Sequence, residues 1–156
     1  MAKFTITVTV HPPPTTPANS RTLKFVGSGP GGTTNGAESH RVFKKCDLFF
    51  ECPDGDLLIH FKNPSGGTHR PFESPHDKVN PIVFADKGQP TPKLTTKNNN
   101  SVHTNQYTAA VAMHTGGPPF LIWKDPDLDD GGGGGPPPKK KAAKKKAKNT
   151  KKNAKK

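Results

Sequence analysis

The sequence predicts an all-β protein: a single β-sandwich of seven or eight short strands, followed by a basic tail. Three observations carry that prediction. Apolar and polar residues alternate with period two in several separate stretches. Glycine and proline number 16 and 18 among 156 residues, which favours turns over long helices. No stretch of residues 1–130 carries an apolar helical stripe of three turns.

The elements follow in chain order. Phe4, Ile6, Val8 and Val10 share one face, and Thr5, Thr7 and Thr9 the other, so residues 4–10 form a half-buried strand. Pro12, Pro13 and Pro14 end it, because proline cannot donate to a ladder. Residues 21–26 read as a second strand, residues 27–36 as a glycine-rich loop, and residues 40–44 as a weaker strand. Cys46, Leu48, Phe50 and Cys52 alternate with polar or outward positions. Pro53, Asp54 and Gly55 then supply turn chemistry, and residues 56–61 return, so residues 46–61 are expected to form a hairpin. Residues 63–78 and 86–101 read as long irregular loops. Between them, residues 79–85 are a strand interrupted by Pro81, which places it at a sheet edge or a bulge. Residues 105–114 are the last long strand and 120–123 a short final one, with Asp125, Pro126 and Asp127 closing the domain.

The charge is divided unequally. Residues 1–138 hold 13 basic and 12 acidic side chains, whereas residues 139–156 hold eleven lysines and no acid. All 28 Val, Ile, Leu and Phe residues precede Gly131, enough for a small core in residues 1–130. The expected organisation is a sandwich domain over 1–130, a Gly/Pro linker over 131–138, and a disordered Lys/Ala-rich tail over 139–156. Like charges three and four apart oppose a helix in the free tail.

Such a tail implies polyanionic partners. Lys139, Lys140, Lys141, Lys144, Lys145, Lys146, Lys148, Lys151, Lys152, Lys155 and Lys156 are the candidate nucleic-acid-binding residues. Lysine meets phosphate as a point charge, and no Arg or aromatic side chain accompanies it here to read bases, so the expected binding is sequence-independent. An anionic membrane surface is a competing polyanion, but the tail has no apolar anchor. The alternative is a protein- or ligand-binding sandwich whose tail only tunes solubility or location.

The Lys/Ala/Pro composition of residues 136–156 resembles the tails of linker histones and bacterial histone-like proteins. Tyr107 to Val111, the 116–119 turn and Asp125-Pro126-Asp127 together resemble small bacterial cupredoxin-like or immunoglobulin-like sandwich proteins. The cupredoxin resemblance would imply copper held by clustered Cys, His and Met ligands. Here Cys46 and Cys52 lie mid-chain and Met113-His114 has no cysteine beside it, so no copper ligand carries over.

Other chemistry is weaker still. Cys46 and Cys52 would sit roughly 20 Å apart along a strand, beyond disulfide reach or joint metal ligation. The seven histidines, with His69 and His76 in one loop, lack the spacing of a zinc site. Asp125, Asp127 and Asp129 begin like a calcium loop, but Asp130 replaces its glycine and Pro136 its bidentate glutamate. Those acids are also candidates to hold the lysine tail intramolecularly when no polyanion is bound. Residues 27–32 lack the Gly-Lys-Ser/Thr end of a phosphate loop. No enzyme, cofactor or metal is therefore expected. With no membrane-length apolar run, no leader pattern and two thiols, the expected location is cytoplasmic, or nucleoid-associated in a bacterium.

Overall fold

The computed structural model describes residues 1–11, 21–34, 38–43, 45–62, 69–97, 102–113 and 120–131. Eleven strands and no helix occur among them. The chain forms two sheets. One has the order β2 (Thr22–Ser28), β1 (Ala2–His11), β5 (Cys46–Glu51) and β8 (Leu94–Thr95). The other runs β3 (Gly32–Thr34), β4 (Ser39–Val42), β11 (Asp127–Gly131), β9 (Val102–Met113), β6 (Asp56–Lys62) and β7 (Ile82–Ala85), with β10 (Phe120–Lys124) also paired to β9. The predicted all-β sandwich is thus the architecture observed.

The core lies between the sheets and is one continuous cluster. Phe4, Ile6, Val8 and Val10 of β1 and Cys46, Leu48 and Phe50 of β5 point into it from one side. Leu57, Ile59 and Phe61 of β6 and Tyr107, Ala109 and Val111 of β9 meet them from the other. An aromatic set fastens the middle. Phe50 contacts Tyr107 at 5.2 Å and Phe61 at 6.1 Å, and Phe61 contacts Phe72 at 4.9 Å, all in edge-on geometries that suit ring quadrupoles.

Three expectations need correction. The strands over 46–51 and 56–62 do not pair. β5 lies between β1, to which it runs parallel, and β8, while β6 lies between β7 and β9 in the opposite sheet. Residues 53–55 are therefore an arch that carries the chain across the sandwich. The Asp54 carboxylate accepts the Val10 backbone N–H at 2.8 Å, which ties the arch to β1. A Cβ on Gly55 would stand 2.4 Å from the Ala112 carbonyl oxygen, so the arch also needs a residue without a side chain there. Alternation correctly showed that both strands bury one face; it does not say whether those faces adjoin or oppose each other.

The second correction concerns the loops. Residues 32–34 form β3, and 94–95 form β8. The segment around β8 follows β5 by borrowing side chains where ladder bonds fail. Thr91 Oγ1 accepts the Phe50 N–H at 3.1 Å, and Thr96 Oγ1 accepts the Cys46 N–H at 2.8 Å. Residues 82–85 sit at the edge of their sheet, as Pro81 implied, and the strand starts after the proline.

The third correction is at the end of the domain. Asp125 and Pro126 do not close it. The pairing of β10 with β9 and of β11 with β9 keeps one register across them, two residues spanning the gap on each side. Lacking an N–H, Pro126 contributes only its carbonyl, which accepts the Tyr107 N–H at 3.1 Å. β11 then inserts between β9 and β4, antiparallel to the first and parallel to the second.

Candidate functional site

The eleven lysines of 139–156, the expected nucleic-acid contacts, lie outside the described residues, as do residues 132–138. What can be placed is the strand that leads to them. On β11, Asp127 and Asp129 face outward, and Leu128 and Asp130 face the core. Just before it, the Asp125 carboxylate accepts the Thr108 hydroxyl at 2.6 Å and pairs with Lys62 at 3.4 Å. Asp129 accepts the Thr104 hydroxyl at 2.7 Å. The acids that resembled the start of a calcium loop are thus part of a β-ladder and its flank.

Asp130 has a different environment. Its side chain is 1% exposed. Asn105 Nδ2 donates to Oδ2 at 2.9 Å, and His69 Nε2 lies 3.0 Å from the same oxygen. The His69 ring stacks on His103, with centroids 3.8 Å apart and planes 15° from parallel. A buried carboxylate is costly without donors; Asn105 and His69 both meet Oδ2 across long sequence separations, while Oδ1 is buried without a hydrogen-bond partner. The cluster staples the segment at His69 to β9 and β11. It offers no nucleophile, and no group of three His, Cys, Asp or Glu side chains converges as a metal would require among the described residues. Sequence reading put His69 and His76 in one long loop. The structure instead puts His69 against His103 and Asp130, whereas the His76 backbone sits in a turn bonded to Glu73 and Lys78.

The remaining chemically suggestive residues are packing residues. Cys46 and Cys52 are free and buried. Burial, aided by Asp47, pushes the Cys46 thiol up to about 12, and burial raises Cys52 as well, so neither forms thiolate readily. His40 is buried against Phe4, with Nδ1 3.2 Å from the Thr34 hydroxyl, and burial lowers its pKa. Burial also pushes the Tyr107 phenol far up. The glycines of 27–32 serve close approach: Gly31 N–H donates to the Lys3 carbonyl at 3.0 Å, and a Cβ on Gly32 would meet the Arg41 carbonyl at 2.5 Å.

One surface was not anticipated. The outer face of the β3–β4–β11–β9–β6–β7 sheet is apolar over the half built from β7, β6, β9 and β10. Phe84, Leu121 and Trp123 are 64%, 67% and 63% exposed there. Register aligns Phe84, Leu58, Ala110 and Trp123 in one row across four strands, and Leu121 lies beside Ala112 in the next. The other sheet's outer face is more polar, although Val26 is 57% exposed on it. There Thr7 donates to Glu51 at 3.0 Å, Thr95 donates to Asp47 at 2.9 Å, and Lys3 sits over the Phe49 ring. The signal was in the sequence: residues 57–59, 82–84 and 120–123 are apolar on both faces.

Among the described residues no cavity opens, and no helix is long and apolar enough to cross a membrane. Comparison with protein-family models, with curated proteins and with solved structures gave no match to this chain.

Proposed function

We propose that this chain is a non-enzymatic binding protein whose lysine-rich tail gives sequence-independent affinity for nucleic acid. The carrying observation is the charge division: eleven lysines without an acid in residues 139–156, against 13 bases and 12 acids in the preceding 138. A near-neutral domain contributes little long-range attraction, so attraction to phosphate belongs to the tail. The Gly₅-Pro₃ composition of 131–138 supports this, because such a sequence suits a linker that gives the lysines reach. With no acid of their own, those lysines can still return to Asp125, Asp127 and Asp129 when no polyanion is bound.

At the level of fold we propose a cupredoxin-like or immunoglobulin-like sandwich without a metal. The placement of Tyr107 on a late core strand, followed by the β10–β11 line, supports it. The proposed location is the cytoplasm, or the nucleoid in a bacterium, where Cys46 and Cys52 stay reduced.

Titration of random-sequence DNA and RNA with the full chain and with a chain ending at Pro138 tests the proposal. The expected result is binding by the full chain that weakens steeply with salt and is lost on truncation. Equal binding by both chains, or none by either at low salt, would overturn it. The second reading, a protein-binding sandwich whose tail tunes solubility or location, is favoured by the apolar outer face at Phe84 and Trp123.

A further inference from the structure

We propose that the apolar half of the outer face formed by β7, β6, β9 and β10 is a self-association surface, on which two copies of this chain pack face to face. The proposal does not depend on what the lysine tail binds.

The first argument is area. Phe84, Leu121 and Trp123 are about two-thirds exposed, and Ile82 is 47% exposed. With large apolar side chains offering about 150–250 Å² each, these four leave on the order of 400–600 Å² uncovered. That matches the largest apolar patches of monomeric proteins, about 300–600 Å², which are often functional. Adding the half-buried Leu58, His60, Ala110 and Ala112 brings the face toward the roughly 800 Å² per partner of a standard interface.

The second argument is symmetry. An isologous dimer needs a surface complementary to itself. The strand order here is β7, β6, β9, β10, with Phe84 and Trp123 on the flanks and Leu58 and Ala110 between them. A two-fold axis along the strands, between β6 and β9, would set Phe84 against Trp123 of the second copy, and the reverse. It would also set Leu58 against Ala110 of the second copy, large against small. Twisted sheets packed face to face lie closest at their centre and diverge toward the corners, where the bulky flanking rings would fill the gap.

The third argument is charge. The row from Phe84 to Trp123 contains no ionisable side chain; His60 lies beside Ile82 in the row on one side, Asp56 stands in the row of Leu121 on the other, and Lys62 and Asp125 lie at the margins. With 13 bases and 12 acids in residues 1–138, two domains meet without net repulsion. Each dimer would carry two lysine tails, raising avidity for a polyanion if the tail binds one.

Trp123 is the single tryptophan of the chain and lies in the proposed contact, so its emission reports directly. The full chain is diluted from about 100 μM to about 0.1 μM, bracketing micromolar affinities. Roughly 0.5 M salt screens the tails from one another. Sedimentation equilibrium is read in parallel. The expected result is twice the 16.7 kDa chain mass at high concentration, with Trp123 emission moving to longer wavelength as dimers dissociate. Phe84→Lys and Leu121→Lys point outward and leave the core untouched. Each should give the chain mass throughout, long-wavelength emission at every concentration and an unchanged far-UV spectrum. A wild-type chain that stays at 16.7 kDa with water-exposed Trp123 emission would overturn the proposal and leave the face to a different partner. A dimer that both lysine variants leave at full strength would overturn it as well.

Discussion

Gly29 holds φ at +114°, and a Cβ there would stand 2.4 Å from the Lys3 carbonyl oxygen. Both the backbone angle and the space therefore demand glycine. Gly29→Ala should destabilise the domain by about 1–2 kcal/mol or more, read as a lower urea midpoint with an unchanged slope. His40 makes a second prediction at this scale. Burial lowers its pKa below the ordinary 6.5, so the unfolded chain takes up a proton first as pH falls. Its contribution to stability is complete above pH 6.5 and is lost as pH falls from there toward the folded value. Between pH 7.5 and pH 5.5, wild type should lose more stability than His40→Gln, with denaturant midpoints as the readout; equal losses would contradict the assignment. The lysines are the residues most legible from sequence, because a run of like charge needs no partner to be recognised. The Asp130–His69–His103 cluster was illegible for the opposite reason. It joins residues 61 positions apart, and Leu128 alone hints that Asp130, two residues on, turns inward.

The strands were legible wherever side chains alternate, as in β1, β5, β6 and β9. Their partners were not. Alternation fixes which face of a strand is buried, while pairing depends on contacts between distant segments. The arch between β5 and β6 illustrates this, since Pro53, Asp54 and Gly55 serve a crossing between sheets as well as they would serve a hairpin. Asp54 anchors that crossing by accepting the Val10 N–H. Asp54→Ala should cost about 1.5–3 kcal/mol, the worth of a hydrogen bond to a charged acceptor, while Asp54→Asn should recover part of it. Thermal unfolding of the two variants checks this, and indifference to either would remove the anchoring role from Asp54. β3 and β8 were missed because two or three residues carry no period, and β8 leans on threonine hydroxyls in place of a full ladder. β11 was missed because its aspartates look like a solvated terminus, although Leu128 already marks a buried position.

At the scale of the whole molecule, the sequence separates an apolar-rich domain from a lysine-rich tail. The hydrophobic residues lie before Gly131 and the unbalanced charge after Pro138. The domain's own surfaces then divide again, into one mainly polar outer sheet face and one that exposes Phe84, Leu121 and Trp123. Composition alone could not expose that second division. The apolar runs at 57–59, 82–84 and 120–123 are separate in the chain, and only strand register brings them into one surface.

The most direct test of this separation is the salt dependence of DNA binding by the full chain between about 50 and 200 mM, where counterion release acts. Full engagement of eleven lysines would give a log–log slope approaching about −10, and partial engagement a smaller but still steep one. The account predicts such a slope for the full chain and no measurable binding by the chain ending at Pro138. A shallow slope for the full chain would contradict it, and equal binding by both chains would assign the binding to the sandwich.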